Sequence, residues 1–306
     1  MKIIILGSSA GGGFPQWNCN CRNCDGIRKG TIRARARTQS SIAVSADGVN
    51  WVLINASPDI LAQIQATPAL QPGRADRDTG IAAVMLMDAQ IDHVAGLLML
   101  REGKPLELYC TPSVWDDLNH GLPLASVLGH YCGMRWHPIA GAADDLSPVA
   151  IPGIAGIRFI PVALKSKAPP YSPHRQQPRA DDNCGLLVEN TASGKVLFYA
   201  PGLGEIDPRV ETAMRSADCV LVDGTLWTGD EMIRMGLSAK TASDMGHLHL
   251  YGTGGMIELL DTLGPRRKIL VHINNTNPIL DEDSAERALL SRHGIEVAHD
   301  GMEILL

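Results

Sequence analysis

Short runs of β-branched and aliphatic residues, each closed by a glycine or a polar break, recur from one end of the chain to the other and leave little length for long helices. They predict strands over 2–6, 41–45, 51–55, 82–87, 106–110, 157–161, 185–188, 195–199, 219–222, 268–272 and 296–298. Gly48 and Gly194 fall in hairpin turns between neighbouring runs. Helical periodicity lies between the strands, over 60–66, 94–101, 113–121, 208–217, 254–263 and 284–292. Hairpins in each half, with helices interspersed rather than strictly alternating, fit a βαβ-only layer badly and two mixed sheets with outer helices well. Residues 164–182 carry Pro169, Pro170, Pro173 and Pro178 with little periodicity, and read as a long ordered loop over a site. One domain over 1–306 is expected, with a cysteine loop at 19–24.

Composition narrows the function classes. A chain that is 45% hydrophobic and 20% charged is globular, not disordered. Its net charge of −6 argues against a nucleic-acid partner. Arg33, Arg35 and Arg37 alternate along one strand-like face and read as solvated, or as a local anion contact. No apolar run approaches the roughly 18 residues of a membrane span. The N-terminal run is too short for a signal sequence and ends in a glycine loop, so it reads as the first strand. Seven cysteines, three of them within six residues, do not make a secreted disulfide framework. A cytoplasmic protein is expected, and the sequence leaves a homo-oligomer open.

Five segments could carry chemistry. Gly7-Ser8-Ser9-Ala10-Gly11-Gly12-Gly13 follows a strand, but Gln16 stands where a dinucleotide fingerprint needs glycine, and Phe14-Pro15 opens no helix. A turn giving close backbone approach explains it better. Cys19, Cys21 and Cys24 have a spacing that lets three thiolates converge on one tetrahedral ion, which predicts a closed, structural zinc whose fourth ligand comes from afar. Asp88-Ala89-Gln90-Ile91-Asp92-His93 ends a buried strand where α/β layers bind ligands. Spacing alone favours an N-cap Asp92 with His93 in the first helical turn. His272 ends an apolar strand ahead of Asn274, Asn275 and Asn277, a cluster expensive to bury unless each group has a partner. Of His247 and His249, alternate spacing turns only one inward.

Taken in order, these segments resemble the metallo-β-lactamase superfamily, and within it the pyrroloquinoline quinone biosynthesis family of the branch that carries a C-x-C-x-x-C zinc loop. The resemblance rests on Gly7 to Cys19, Asp88 to His93, Ser166 to Arg175, Asp223-Gly224-Thr225 and His272 to Pro278, which span nearly the whole chain. It implies a four-layer αββα sandwich with the site at the sheet edges. Hydrolases of this superfamily hold two metals about 3.5–4 Å apart. Here Asp88 and Gln90 stand where the first two histidines should be, Lys165-Ser166-Lys167 replaces a histidine loop, and Ala200-Pro201-Gly202 replaces the turn of the bridging aspartate. Two-metal hydrolysis is therefore not expected.

Asp92, His93 and His272 survive, the facial set of non-haem iron(II) oxygenases, although the same ligands also suit zinc. The resemblance implies iron-dependent hydroxylation of a tyrosine ring in a glutamate–tyrosine fragment of a precursor peptide. It gives His247 a role in proton transfer and Asp223 the orientation of a ligand histidine. His174 and Arg175 would meet substrate carboxylates, or form an exposed surface pair. Asn275 falls where the related branch draws its fourth zinc ligand. In one alternative, His272 belongs to the zinc and leaves Asp92, His93 and His247 for the active metal. A second reading of the whole chain is a carrier for the quinone or its precursor, handing cargo towards the periplasm.

Overall fold

The computed structural model of the chain describes residues 1–139, 147–264 and 266–306. Its first sheet contains β1 (Lys2–Gly7), β2 (Ser41–Ser45), β3 (Trp51–Ile54), β4 (Ile81–Met85), β5 (Leu106–Cys110) and β6 (Met134–Pro138). The second contains β7 (Ile157–Ala163), β8 (Cys184–Asn190), β9 (Val196–Ala200), β10 (Cys219–Asp223), β11 (Arg267–Val271) and β12 (Ile295–Val297), while β13 (Glu303–Leu305) returns to the edge of the first. The orders are β13-β1-β2-β3-β4-β5-β6 and β12-β11-β10-β9-β8-β7. Both are mixed sheets: β1–β2 and β7–β8 pair antiparallel, whereas β3–β4 and β10–β11 pair parallel.

Strand periodicity explains the four layers. Ile3, Ile5, Val52 and Ile54 point between the sheets at Phe159, Leu197, Tyr199, Leu221 and Ile269. The alternate residues Ile4, Leu6 and Leu53 face outwards to Ile60, Leu97 and Val114. Phe198, Val220 and Val222 likewise pack on Val210, Met214 and Leu260 of the opposite outer layer. Strands covered on both faces must be apolar at every position, which is why they read as continuous runs.

The predicted αββα architecture is therefore present, with local corrections. The helix expected over 94–101 is a short α-helix, Ile91–Val94, continued as a 3-10 helix, Ala95–Leu100. The one over 113–121 splits into an α-helix, Pro112–Asp116, and a π-helical turn, Asp117–Gly121. At Gly96 a Cβ would lie 2.1 Å from the Ser57 carbonyl oxygen, so the first of these turns is pressed against backbone. Arg33 and Arg35 pair with Glu282, as solvated arginines do, but Arg37 is buried and donates to Ser8 Oγ and the Ala298 carbonyl. Residues 164–182 lie between β7 and β8 without a strand or helix of their own, and they bring Ser166 to the cavity described below. Among the described residues no helix is long and apolar enough to cross a membrane.

Helix Pro208–Ser216 shows how ends are secured: the Asp207 carboxylate accepts from the N–H groups of Arg209 and Val210 at 3.0 and 3.1 Å. Burial opposes ionisation there, but these hydrogen bonds and Arg209 hold the carboxyl below its usual value. A carboxylate depressed in the folded state stabilises it above about pH 4, and the contribution is lost as pH falls through the folded value. Asp207→Ala is accordingly expected to cost about 1 kcal/mol at pH 7 in urea denaturation, with the gap to the parent closing on acidification. A gap that is constant with pH would disprove this assignment.

Candidate active site and thiolate centre

The carboxyl ends of β4, β10 and β11 converge from the two sheets, and the segments that leave them line a cavity of about 220 Å³. After β4 the chain turns through Asp88, whose Oδ1 accepts from the Gln90 N–H at 2.9 Å and from His93 Nδ1–H at 2.8 Å. Gln90, not Asp92, precedes the helix as its N-cap, so the capping alternative for Asp92 falls. The Asp92 carboxylate is free to face His272, with Oδ2 3.1 Å from His272 Nε2. Strand β11 ends one residue earlier than expected, because His272 has a φ of +58°, a left-handed backbone that strands do not adopt. Such a conformation in a non-glycine residue costs of order 1–3 kcal/mol and is typical of functional positions.

One potential ligand atom from each of Asp92, His93 and His272 lies within 4.8 Å of the others. The His93 and His272 rings meet edge to face with centroids 5.2 Å apart. His93 Nε2 is buried and meets no hydrogen-bond partner among the described residues. A buried imidazole nitrogen left bare, with its other nitrogen anchored on a carboxylate, is the usual posture of a metal-ligating histidine. The residues present therefore fit a metal at this point.

Behind them stands a second tier. Asp223, at the end of β10, accepts from His247 Nδ1–H at 2.6 Å and from the N–H groups of Leu203 and Thr225, both at 2.9 Å. The Thr225 hydroxyl donates to Asp223 Oδ1 at 2.6 Å and accepts from His272 Nδ1–H at 2.9 Å, which turns His272 Nε2 to the cavity. Gly224 between them is required by space, since a Cβ there would sit 2.9 Å from Leu270 Cβ.

Charge tracks this geometry. Burial disfavours the imidazolium of His93, but the Asp88 and Asp92 carboxylates outweigh it and push the ring up to about 9. Burial likewise opposes ionisation of Asp92, which His93 and the His272 hydrogen bond nonetheless hold well below the usual carboxylate range. Against the same burial, Asp223 raises His247 and is itself lowered by it. Three carboxylates in a buried site make a strong demand for positive charge, which a metal cation meets. Thr225→Val deletes the hydroxyl shared by Asp223 and His272. It is expected to weaken metal binding roughly 10–100-fold by equilibrium dialysis. Unchanged affinity would remove Thr225 from this role.

Asn275 places its Nδ2 3.1, 3.7 and 3.4 Å from the sulfurs of Cys19, Cys21 and Cys24. The three sulfurs also lie within 4.8 Å of one another, so this set fits zinc, with Asn275 as its fourth neighbour. His272 is turned to Asp92 and Thr225, so the geometry does not group it with the thiols. Burial raises the Cys21 thiol to about 11, against the hydrogen bond from Cys24, whereas sulfur and amide hydrogen bonds lower Cys19 despite burial.

His247 lines the cavity and His249 does not, as the alternate spacing predicts. His174 is placed elsewhere: it is buried, with Nε2 2.6 Å from Asp182 and Nδ1 3.8 Å from Asp117, and neither it nor Arg175 lines the cavity. Sequence reasoning missed the anchoring role of Asp88, together with Thr225, Asn183, Met232 and Met245 in the lining. Of these, only the run Asp223-Gly224-Thr225 carried a local signal.

The beta-lactamase superfamily domain matches residues 50–273. Coenzyme PQQ synthesis protein B of Methylobacillus flagellatus is 60% identical over all of both chains. The protein of that name from Cupriavidus necator is 61% identical over 100% of this chain and 99% of its own. A crystal structure of zinc-bound PqqB from Methylobacterium extorquens superposes with a TM-score of 0.88 at 38% identity, covering both chains fully. With identity at this level from end to end, the chain belongs to the coenzyme PQQ synthesis protein B family of the beta-lactamase superfamily.

Proposed function

We propose that the chain acts in pyrroloquinoline quinone synthesis as an iron(II)- and dioxygen-dependent hydroxylase of a tyrosine ring in a glutamate–tyrosine fragment. The observation that carries this reading is the donor set: one carboxylate and two imidazoles converge, and His93 Nε2 is buried without a partner among the described residues. The names of the relatives support the pathway, and Asp88, Gln90, Lys165-Ser166-Lys167 and Ala200-Pro201-Gly202 in place of the two-metal ligand segments speak against hydrolysis. Iron(II) held by Asp92, His93 and His272 would supply the activation of dioxygen. One oxygen atom would enter a ring C–H bond, and the other would leave as water with two electrons from a co-reductant.

The remaining work falls to side chains. Asp88 and Thr225 fix the ligand rings. Leu226, Met232 and Met245 give the cavity an apolar wall for an aromatic ring. His247, tied through Nδ1 to Asp223 and raised by it, presents its other nitrogen for moving protons at the substrate. Cys19, Cys21, Cys24 and Asn275 would hold a structural zinc that pins the loop ahead of the cavity. The test is isotopic: iron-loaded protein given the dipeptide, a reductant and labelled dioxygen should place one labelled atom on the tyrosine ring. Unlabelled hydroxylated product, or none, would overturn the reading.

A further inference from the structure

One polar group in the cavity has no task in holding the centre together. Asn183 lies between the Asp88 turn and the 164–167 segment: its carbonyl accepts from the Leu164 N–H at 3.0 Å, and the next N–H, of Cys184, donates to the Met87 carbonyl at 2.8 Å. Its side chain lines the cavity at 3% exposure, yet Nδ2 meets no acceptor among the described residues. A buried amide donor left unpaired is costly, and at a functional site it points to a ligand.

On the same cavity wall, Asp88 uses Oδ1 for His93 and the Gln90 N–H, while Oδ2 is turned towards Gly202, 3.8 Å from where a Cβ would stand. An unpaired donor and an acceptor on two residues that line one cavity match a hydroxyl, which accepts through a lone pair and donates its proton. A carboxylate would satisfy only the amide and be repelled by Asp88, and an ammonium would satisfy only Asp88. The apolar wall of Leu226, Met232 and Met245 calls for that hydroxyl on an aromatic or aliphatic body.

We propose that Asn183 Nδ2 donates to, and Asp88 Oδ2 accepts from, the phenolic hydroxyl of the substrate, so that this pair distinguishes tyrosine from phenylalanine. The inference rests on the tyrosine substrate proposed above and adds the residues that recognise it. A site built to hydrogen-bond a hydroxyl rejects the analogue that lacks it, because its own polar groups are then left unpaired.

The test is calorimetric titration of the zinc-loaded protein, without oxygen, with Glu–Tyr and Glu–Phe dipeptides. The parent is expected to bind Glu–Tyr at least roughly tenfold more tightly. Asn183→Ala should narrow the ratio to within about threefold with metal content unchanged, because it removes the amide that only the hydroxyl pairs and that Glu–Phe leaves unpaired. Asn183→Asp, which sets two acceptors against the hydroxyl, should weaken Glu–Tyr by more than about tenfold. A ratio unchanged in Asn183→Ala, or a parent that binds neither dipeptide or both equally, would overturn the proposal. Discrimination without oxygen incorporation would leave the recognition pair and remove the hydroxylase. Incorporation with an unchanged ratio would do the reverse.

Discussion

His93→Ala is expected to lose the metal of the three-ligand centre while the cysteine cluster keeps its zinc. His93 brings a ligand nitrogen that is buried and, among the described residues, without a hydrogen-bond partner. Removing one of three ligands should weaken binding by roughly a hundredfold or more, beyond the 10–100-fold typical of an outer-shell change. The substitution also strips a cationic partner from Asp88 and Asp92, both held close to it in a buried site. An uncompensated buried charge costs about 3–5 kcal/mol, so the metal-free variant should also unfold earlier in urea than the metal-free parent. Metal analysis showing two ions per chain in the variant would refute the assignment of His93 as a ligand.

The second large effect is on stability. Cys24 is fully buried, and its sulfur lies 3.4 Å from the Asn275 amide, which ties the 19–24 loop to the segment after β11. The helix that carries it, Arg22–Lys29, has eight residues, and an isolated helix of that length does not hold in water. Its attachment depends on the thiolate centre and on Asn23, whose side chain donates to the carbonyls of Asn275 and Asn277. Structural zinc contributes roughly 10–16 kcal/mol in small metallo-peptides. In a chain with its own large core we expect about 5 kcal/mol from Cys24→Ala, a fall in Tm of roughly 10–20 °C. Proteolysis should then open the loop first. A variant that melts with the parent and carries the same zinc would contradict a structural role for this cluster.

Much of this was legible in the residues, for identifiable reasons. Strands that alternate between two covered faces, such as β2 and β5, and the helix at Ile60–Ala66 fall where their patterns place them. The two edge strands of the first sheet were not visible: β6 carries Arg135 and His137 and ends on Pro138, and β13 has three residues. Half-exposed edges need no apolar run. Helix Arg22–Lys29 escaped notice because it is mostly polar, with only Cys24 as a core-facing side chain among its buried positions.

At the site, Asp92, His93 and His272 could be picked out as residue types, but spacing alone could not bring together positions 180 apart in the chain. Asp88 reads in the sequence as a missing histidine; only the turn shows it gripping His93 Nδ1. His174 had the right chemistry and the wrong surroundings, since its proline-rich loop folds it onto Asp182. Asn183 had no signal at all, because its importance lies in a bond that it does not make.

The most direct test of the central claim is anaerobic reconstitution with iron(II), counting metals and following oxygen uptake on a glutamate–tyrosine dipeptide with a reductant, beside His93→Ala. One zinc and one iron per chain, with dipeptide-dependent uptake that the variant loses, is the predicted result. One zinc alone, no uptake, and tight binding of the quinone by both proteins would contradict it and leave a carrier.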